Sequence, residues 1–245
     1  EAPHRGAFLY GGENVKVLRV TLEALSASFR NPNSMNYQDS LPFPPPTTIT
    51  GVIGAALGKE YMKAQEYCRE LFYGVIVGDN CGMAKDQWAI RKIKGGGREI
   101  GKAVVTREVI YKPSFKIIVC GPEDKLIEIE KALQNPVYPL SLGRDDEFIT
   151  SIGYEMVDAQ PIKGGIVSDT VLKGDLTGKI HNCDIHSGEI KAFKTYWLSS
   201  SFERDSKNPG LRRPSNRAPF TFVNARVDYT GELLSVNGLN FPIWR

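Results

Sequence analysis

An α+β fold is what this 245-residue sequence predicts, and three observations predict it. Segments of period-two hydrophobicity and segments of helical spacing follow one another as β-α-β-β-α-β through the first two-thirds of the chain. A glycine-tipped ribbon rich in lysine and arginine interrupts that order between its middle strands. Beyond Gly164 short β segments alternate with turn residues.

Val15–Ala24 opens the fold: Val15, Val17, Leu22 and Ala24 sit among polar residues at near period-two spacing, as a strand requires. Residues 1–14, which begin EAPHRGAFLYGG without a start methionine, are expected to be a flexible lead-in. A polar loop carrying Phe29, Arg30 and Asn31 follows, then the run Leu41-Pro42-Phe43-Pro44-Pro45-Pro46. Each proline fixes φ and removes a backbone donor, so the run predicts a stiff, polyproline-like rail. Thr47 or Thr48 is expected to cap a helix starting near Ile49. In that helix Gly51, Gly54, Ala55 and Gly58 leave one face nearly bare. A glycine costs about 1 kcal/mol relative to alanine in a helix, so this face predicts close packing of the helix on a sheet.

Lys59–Tyr73 continues helically to a stop at Gly74, and Val75–Val77 is a short β segment. Trp88–Lys94 alternates, Gly95–Gly97 forms a tip and Glu99–Tyr111 returns, which predicts a hairpin over about residues 86–112. Phe115–Cys120 reads as a buried strand, Glu123–Leu133 as an amphipathic helix closed by Asn135-Pro136, and Glu147–Val157 as a further strand. The order is that of a ferredoxin-like (RRM-like) domain over 15–163 with the hairpin inserted. Residues 164–245 are expected to form a smaller β-rich part packed against it.

Hydrophobic content of 41% and charged content of 24% are those of an ordinary globular chain. The net charge of +3 marks no partner, but its distribution does. Nine Lys/Arg face three acids between Lys85 and Lys116, and five face two between Glu203 and Arg217. Positive charge is thus gathered in two places, as an electrostatic footprint would be. Leu41–Gly58 is uncharged for 18 residues. Its four prolines leave too little helix to span a bilayer, which takes roughly 20 residues. Cys68, Cys81, Cys120 and Cys183 form no CxxC pair, so neither a zinc ribbon nor a disulfide framework is expected, and the chain reads as cytoplasmic.

His181, Cys183, Asp184 and His186 match no standard metal spacing and read as an ordinary loop. Walker A, HExxH and GxSxG sequences are absent, and the acids near Asp145 are too few for a two-metal nuclease. No catalytic residue, metal or cofactor is predicted. A cationic arm of Arg91, Lys92, Lys94, Arg98 and Lys102 suits a phosphate backbone, and Ile93 and Ile100 could wedge against unstacked bases. A merely solvated face is the alternative. Arg30 could present its fork to a phosphate or pair with an internal carboxylate, and Gly143-Arg144, followed by Asp145-Asp146, offers the same choice.

Phe29-Arg30, the run from Leu41 through Thr48-Ile49-x-Gly51, and Gly54-Ala55-Ala56-Leu57-Gly58 together resemble the signature of the Cas-five family. These are CRISPR-associated subunits of class 1 interference complexes, within the RAMP superfamily. Arg107-Glu108, Tyr111-Lys112-Pro113-x-Phe115 and Leu140-x-Leu142-Gly143-Arg144 are similar to the family's later landmarks; past about Gly164 nothing is. The resemblance implies a ferredoxin-like body, an inserted hairpin thumb and a variable C-terminal part. It also implies a non-catalytic subunit of a type I antiviral surveillance (Cascade) complex that holds the 5′ handle of the guide RNA. Such a subunit caps a filament of Cas-seven backbone subunits, contacts a large subunit of the Cas-eight type and meets target DNA indirectly.

Carried over residue by residue, Phe29, Arg30, Asn31, Pro42, Phe43, Pro44, Thr47 and Thr48 would line the handle groove. Arg91, Lys92, Lys94, Arg98 and Lys102 would form the thumb over the RNA, with Arg107, Gly143 and Arg144 as further contacts. One branch of the family trims repeat RNA as a metal-independent endoribonuclease using Tyr, Lys and His. This chain has no histidine between His4 and His181, and Tyr111-Lys112-Pro113 follows the hairpin, which counts against that activity. Tyr37 and Lys112 are what would remain of such a site. A stand-alone RRM-like RNA-binding or structural protein is the third reading. The cluster Arg204, Lys207, Arg212, Arg213 and Arg217 is expected to be a mobile loop near RNA or target DNA.

Overall fold

The computed structural model describes residues 13–34, 37–80, 82–94, 97–176, 180–184, 193–208 and 210–245, with backbone only for Arg98 and residues 180–184. Strand β1 (Val15–Ala24) lies in the middle of the main sheet. Its alternation sends Leu18, Val20 and Leu22 into the large core under the helices, and Val17 into a smaller core on the opposite face. β1 pairs antiparallel with β6 (Ser114–Cys120) on one side and β7 (Ile149–Val167) on the other. β6 in turn pairs with β3 (Phe72–Val77), which gives the order β3-β6-β1-β7. Helix α1 (Pro46–Ala56) and the short α2 (Tyr61–Tyr67) connect β1 to β3, and α3 (Glu123–Gln134) connects β6 to β7.

The C-terminal strands extend the same sheet at both edges. β8 (Thr170–Lys173) meets β3 through Ile76 and Thr170, and β11 (Arg212–Val223) and β10 (Lys194–Arg204) add beyond it. On the other side, β7 runs past β1 and pairs with β12 (Arg226–Val236), which carries β13 (Leu239–Pro242) and β9 (Ile180–Asp184). The 163/164 boundary therefore falls inside β7. Trp244 closes the circuit by exchanging two 2.8 Å backbone hydrogen bonds with Tyr73 of β3. The fold is a mixed one, with a large antiparallel sheet and few helices. Among the described residues no helix is long and apolar enough to cross a membrane.

Three local expectations are corrected. Helix α1 begins at Pro46, and its N-cap is Pro45 (φ −68°, ψ 163°) with no side-chain cap, so Thr47 and Thr48 lie inside the first turn. Proline at the first helical position loses nothing, because that N–H has no intrahelical acceptor. The glycine face does not pack on a sheet. A Cβ on Gly54 would stand 2.6 Å from Ala64 Cβ of α2, so the close approach is helix on helix, whereas a Cβ on Gly51 would meet nothing within 4 Å. Finally, the helical stretch after Lys59 ends in a 3-10 turn at Cys68–Glu70. Gly74 lies within β3, where a Cβ would come 2.9 Å from Phe241 Cβ. It makes room for the overlying C-terminal segment and stops nothing.

Candidate nucleic-acid interface

The inserted hairpin consists of β4 (Met83–Lys94) and β5 (Arg98–Tyr111), and with β2 (Ser26–Ala27) it forms a three-stranded sheet of its own. The loop after Arg30 is laced along β5: Gln38 N–H donates to Thr106 O (3.0 Å), and Glu108 N–H donates to Gln38 O (2.8 Å). Toward the tip Arg91, Lys92, Lys94 and Lys102 are exposed, as are Ile93 and Ile100; the side chain of Arg98 lies outside the described residues. Register places Arg91 directly opposite Lys102 and Lys94 opposite Arg98. Like charges facing across strands destabilise a ribbon, and a bound polyanion would relieve that repulsion. Among the described residues Arg91 has a loose internal partner, Glu99 at 3.7 Å.

At the hairpin base the cations are already engaged. Arg107 Nε donates to Asp86 (2.8 Å), and its guanidinium lies 5.4 Å from the Trp88 ring centroid. Arg144 sits 4.0 Å from the same ring and pairs with Asp146 at 3.3 Å. Beneath them is Glu147, 3% exposed, which accepts hydrogen bonds from Ser28 N–H (2.9 Å), Ser28 Oγ (2.8 Å) and Arg144 N–H (3.1 Å). Burial pushes its carboxyl pKa up, against those hydrogen bonds and the charge of Arg107. Gly143 holds φ +102°, and a Cβ there would lie 2.0 Å from Ser28 O, so only glycine fits.

The Gly143 loop also forms one wall of a groove of ≈ 260 Å³. Thr47, Thr48, Gly51 and Ala55 of α1 make the floor, and Ser141 and Gly143 one side. The other side is an edge-to-face pair, Tyr61 and Phe202, with centroids 5.4 Å apart. The exposed Arg212 guanidinium lies 4.6 Å from the Tyr61 centroid and 5.5 Å from that of Phe202. Planar apolar surface beside an accessible cation is the chemistry that unstacked bases and their phosphates require.

Thus Thr47, Thr48 and Gly143 are brought together in the groove, and Arg30 is exposed next to its bridge to Ser40. Other candidates are elsewhere. Phe29 is buried, edge-on to Phe115 at 5.6 Å, and Phe43 is fully buried against Tyr196 and Phe222. Neither ring, nor the buried Pro44, has surface to offer a base. Asn31 is buried as a turn builder, donating to Asp39 and accepting from Asn33 N–H, and Pro42 lines a separate cavity of ≈ 330 Å³. Gly51, Tyr61, Phe202 and Arg212 were not expected in the site. The signal for Arg212 was the second basic cluster; Gly51 stood out in the sequence only as one glycine of the bare face expected to pack closely. His181, Cys183, Asp184 and His186 have side chains outside the described residues, among which no metal-binding group occurs.

The sequence model of the family described as CRISPR-associated protein (Cas_Cas5) matches residues 17–170. The chain belongs to the Cas-five family. Two solved structures share the fold of this Cas-five chain. One is from a "CRISPR RNA-guided surveillance complex", 17% identical, with a TM-score of 0.53 over 86% of this chain and 91% of that one. The other is a "CRISPR protein from Archaeoglobus fulgidus", 13% identical, with a TM-score of 0.52 over 94% of this chain and 100% of that one. Among curated proteins none matches. The family match takes in the hairpin, α1 and the Gly143 loop, but it stops short of Phe202 and Arg212. Part of one wall, Phe202 with Arg212 beside it, therefore comes from the part of this Cas-five chain that lies beyond the family match.

Proposed function

We propose that this Cas-five chain is a non-catalytic guide-RNA-binding subunit of a type I surveillance complex, holding the 5′ handle between the α1 groove and the basic hairpin. The observation that carries this reading is that one loop, Ser141–Glu147, serves both parts. Gly143 and Ser141 wall the groove, while Arg144 stacks on Trp88 of the hairpin. The handle contacts are then Thr47, Thr48, Gly51 and Gly143, with Arg212 and Arg30 at the margins, and Arg91, Lys92, Lys94, Arg98 and Lys102 as the thumb. The β3-β6-β1-β7 order with two crossover connections supports a ferredoxin-like body over 15–163. Capping of a Cas-seven filament, contact with a Cas-eight-type large subunit and cytoplasmic residence belong to the same reading.

Tyr37 supports the non-catalytic part. Its hydroxyl donates to Glu108 at 2.6 Å, and that hydrogen bond pushes its pKa up to about 12, the wrong direction for a general base. The test is incubation with labelled CRISPR repeat RNA in EDTA, run on native and denaturing gels, and repeated in the assembled complex. Intact RNA retained in preference to scrambled RNA is expected. A discrete product in EDTA would put the endoribonuclease reading ahead, and equal binding of scrambled RNA in the complex would leave only a general RNA-binding protein.

A further inference from the structure

Across strand β10 from the groove lies a larger cavity of ≈ 750 Å³ that the handle reading does not use. The partition between them is firm. Phe202 and Tyr61 face the groove, while the Gln65 side chain both donates to Phe202 O (3.1 Å) and accepts from Phe202 N–H (2.8 Å). On the far side, Lys63, Arg69, Lys173, Arg204 and Arg245 line the cavity against two carboxylates, Glu60 and Glu66. Among the described residues the ion pair between these sets is a loose one, Arg204 to Glu60 at 3.9 Å. Lys173 is exposed, and its Nζ donates to the backbone carbonyl of Arg245. Five cationic side chains against two carboxylates leave the cavity with more positive charge than it neutralises. In the floor the Tyr73 hydroxyl is buried and makes no hydrogen bond of ordinary geometry.

A volume of this size is in the range of small-molecule sites, about 300–1,000 Å³, and exceeds what a lone inorganic anion would fill. An unneutralised cationic wall with uncharged donors below suits a phosphate attached to something larger. The cavity also adjoins an aromatic-and-arginine groove across a single strand. We infer that it receives a phosphorylated nucleotide of the single-stranded RNA at the point where the strand leaves the groove. This rests on the groove being the RNA seat, and it adds a second, purely electrostatic station to it.

The full chain is titrated by fluorescence anisotropy with oligoribonucleotides of the guide's repeat-derived 5′ segment, lengthened one nucleotide at a time, and with a polyglutamate peptide. The pocket variant is Lys63→Ala with Arg204→Ala, both exposed, with thermal unfolding to confirm the fold. The expected result is unchanged affinity for short oligonucleotides and about tenfold weaker binding of longer ones. The salt slope for the longer ones should fall by about 0.7, the value for one phosphate no longer neutralised. Gly51→Leu, in the groove, should instead weaken every length. Unchanged affinity and slope in the pocket variant, with Gly51→Leu still impaired, would overturn the pocket and leave the groove standing. Loss of polyglutamate binding alone would overturn it in favour of an acidic protein segment. If neither the free chain nor the assembled complex binds any of the oligonucleotides, the groove reading falls and the pocket falls with it.

Discussion

Gly51 offers a substitution whose effects on stability and on binding should have opposite signs. It lies inside α1, where glycine is worse than alanine by about 1 kcal/mol, and an added Cβ would meet nothing within 4 Å. Gly51→Ala should therefore stabilise the chain by about 1 kcal/mol, or roughly 2–4 °C in Tm for a protein of this size. Gly51→Leu should keep most of that gain, because leucine is nearly as good a helix former, while placing its side chain in a groove of ≈ 260 Å³. Handle RNA should then bind about tenfold more weakly, a loss near 1.4 kcal/mol. Gly54, less than one turn further on, is the control. There a Cβ would be 2.6 Å from Ala64 Cβ, and Gly54→Ala should lose about 1–3 kcal/mol by overpacking. Urea denaturation and anisotropy with labelled handle RNA read both quantities. Destabilisation by Gly51→Ala would refute the open-face geometry, and wild-type affinity in Gly51→Leu would refute the groove as the RNA seat.

Gly143→Ala should cost about 3 kcal/mol or more in urea melts, since its Cβ would lie 2.0 Å from a backbone oxygen at a φ of +102°; a loss no larger than that of an ordinary surface substitution would show that the loop has another conformation. Glu147 gives a pH dependence. Its folded pKa is raised, so the folded chain holds a proton that the unfolded chain releases. That contribution to stability is fully present below the ordinary glutamate pKa and is lost as pH rises through the folded value. The urea midpoint should carry this falling component from acid toward neutral pH, and Glu147→Gln should remove it; identical slopes in the two proteins would contradict the assignment. Charge reversal of Arg91, Lys92 and Lys94 should release handle RNA and flatten the salt dependence of log K by about 2, at roughly 0.7 for each phosphate left without its cation, whereas an unchanged slope would take the thumb off the RNA.

Much of the architecture was legible because the alternation and spacing are local. β1 ends where its pattern ends, at Ala24, and α3 and β6 lie within a residue of their hydrophobic runs. The hairpin announced itself through a triple glycine between alternating arms. The destination of the C-terminal strands did not, because Thr170–Lys173 reaches β3 and Arg226–Val236 reaches β7 by pairings that no local pattern encodes. The site was legible by residue type and less so by orientation. Phe29 and Phe43 beside Arg30 and the prolines look like stacking platforms, yet both fall on the core side of their segments. The rings that do line the groove, Tyr61 and Phe202, are 141 residues apart and meet only because β10 is carried back over α2.

The engaged arginines at the hairpin base bear on how the two halves of the interface are kept in register. Arg107 and Arg144 both approach Trp88, and Arg107 Nη1 also faces the buried Glu147 carboxylate at 3.9 Å. Two cations near one indole would repel if left alone. The carboxylates of Asp86 and Asp146 and the buried charge of Glu147 hold them in place. Because Glu147 is also anchored to Ser28, the network connects the hairpin to the end of β2 and to the groove wall through a single side chain. An exposed hairpin with like charges facing each other across its tip has little of its own to fix its direction. Its direction is fixed at the base, by residues that the family resemblance implied as RNA contacts. These arginines are engaged within the protein, and on the proposed reading the phosphate contacts fall to exposed cations elsewhere, Arg212 at the groove rim, Arg30 and those farther out along the hairpin among them.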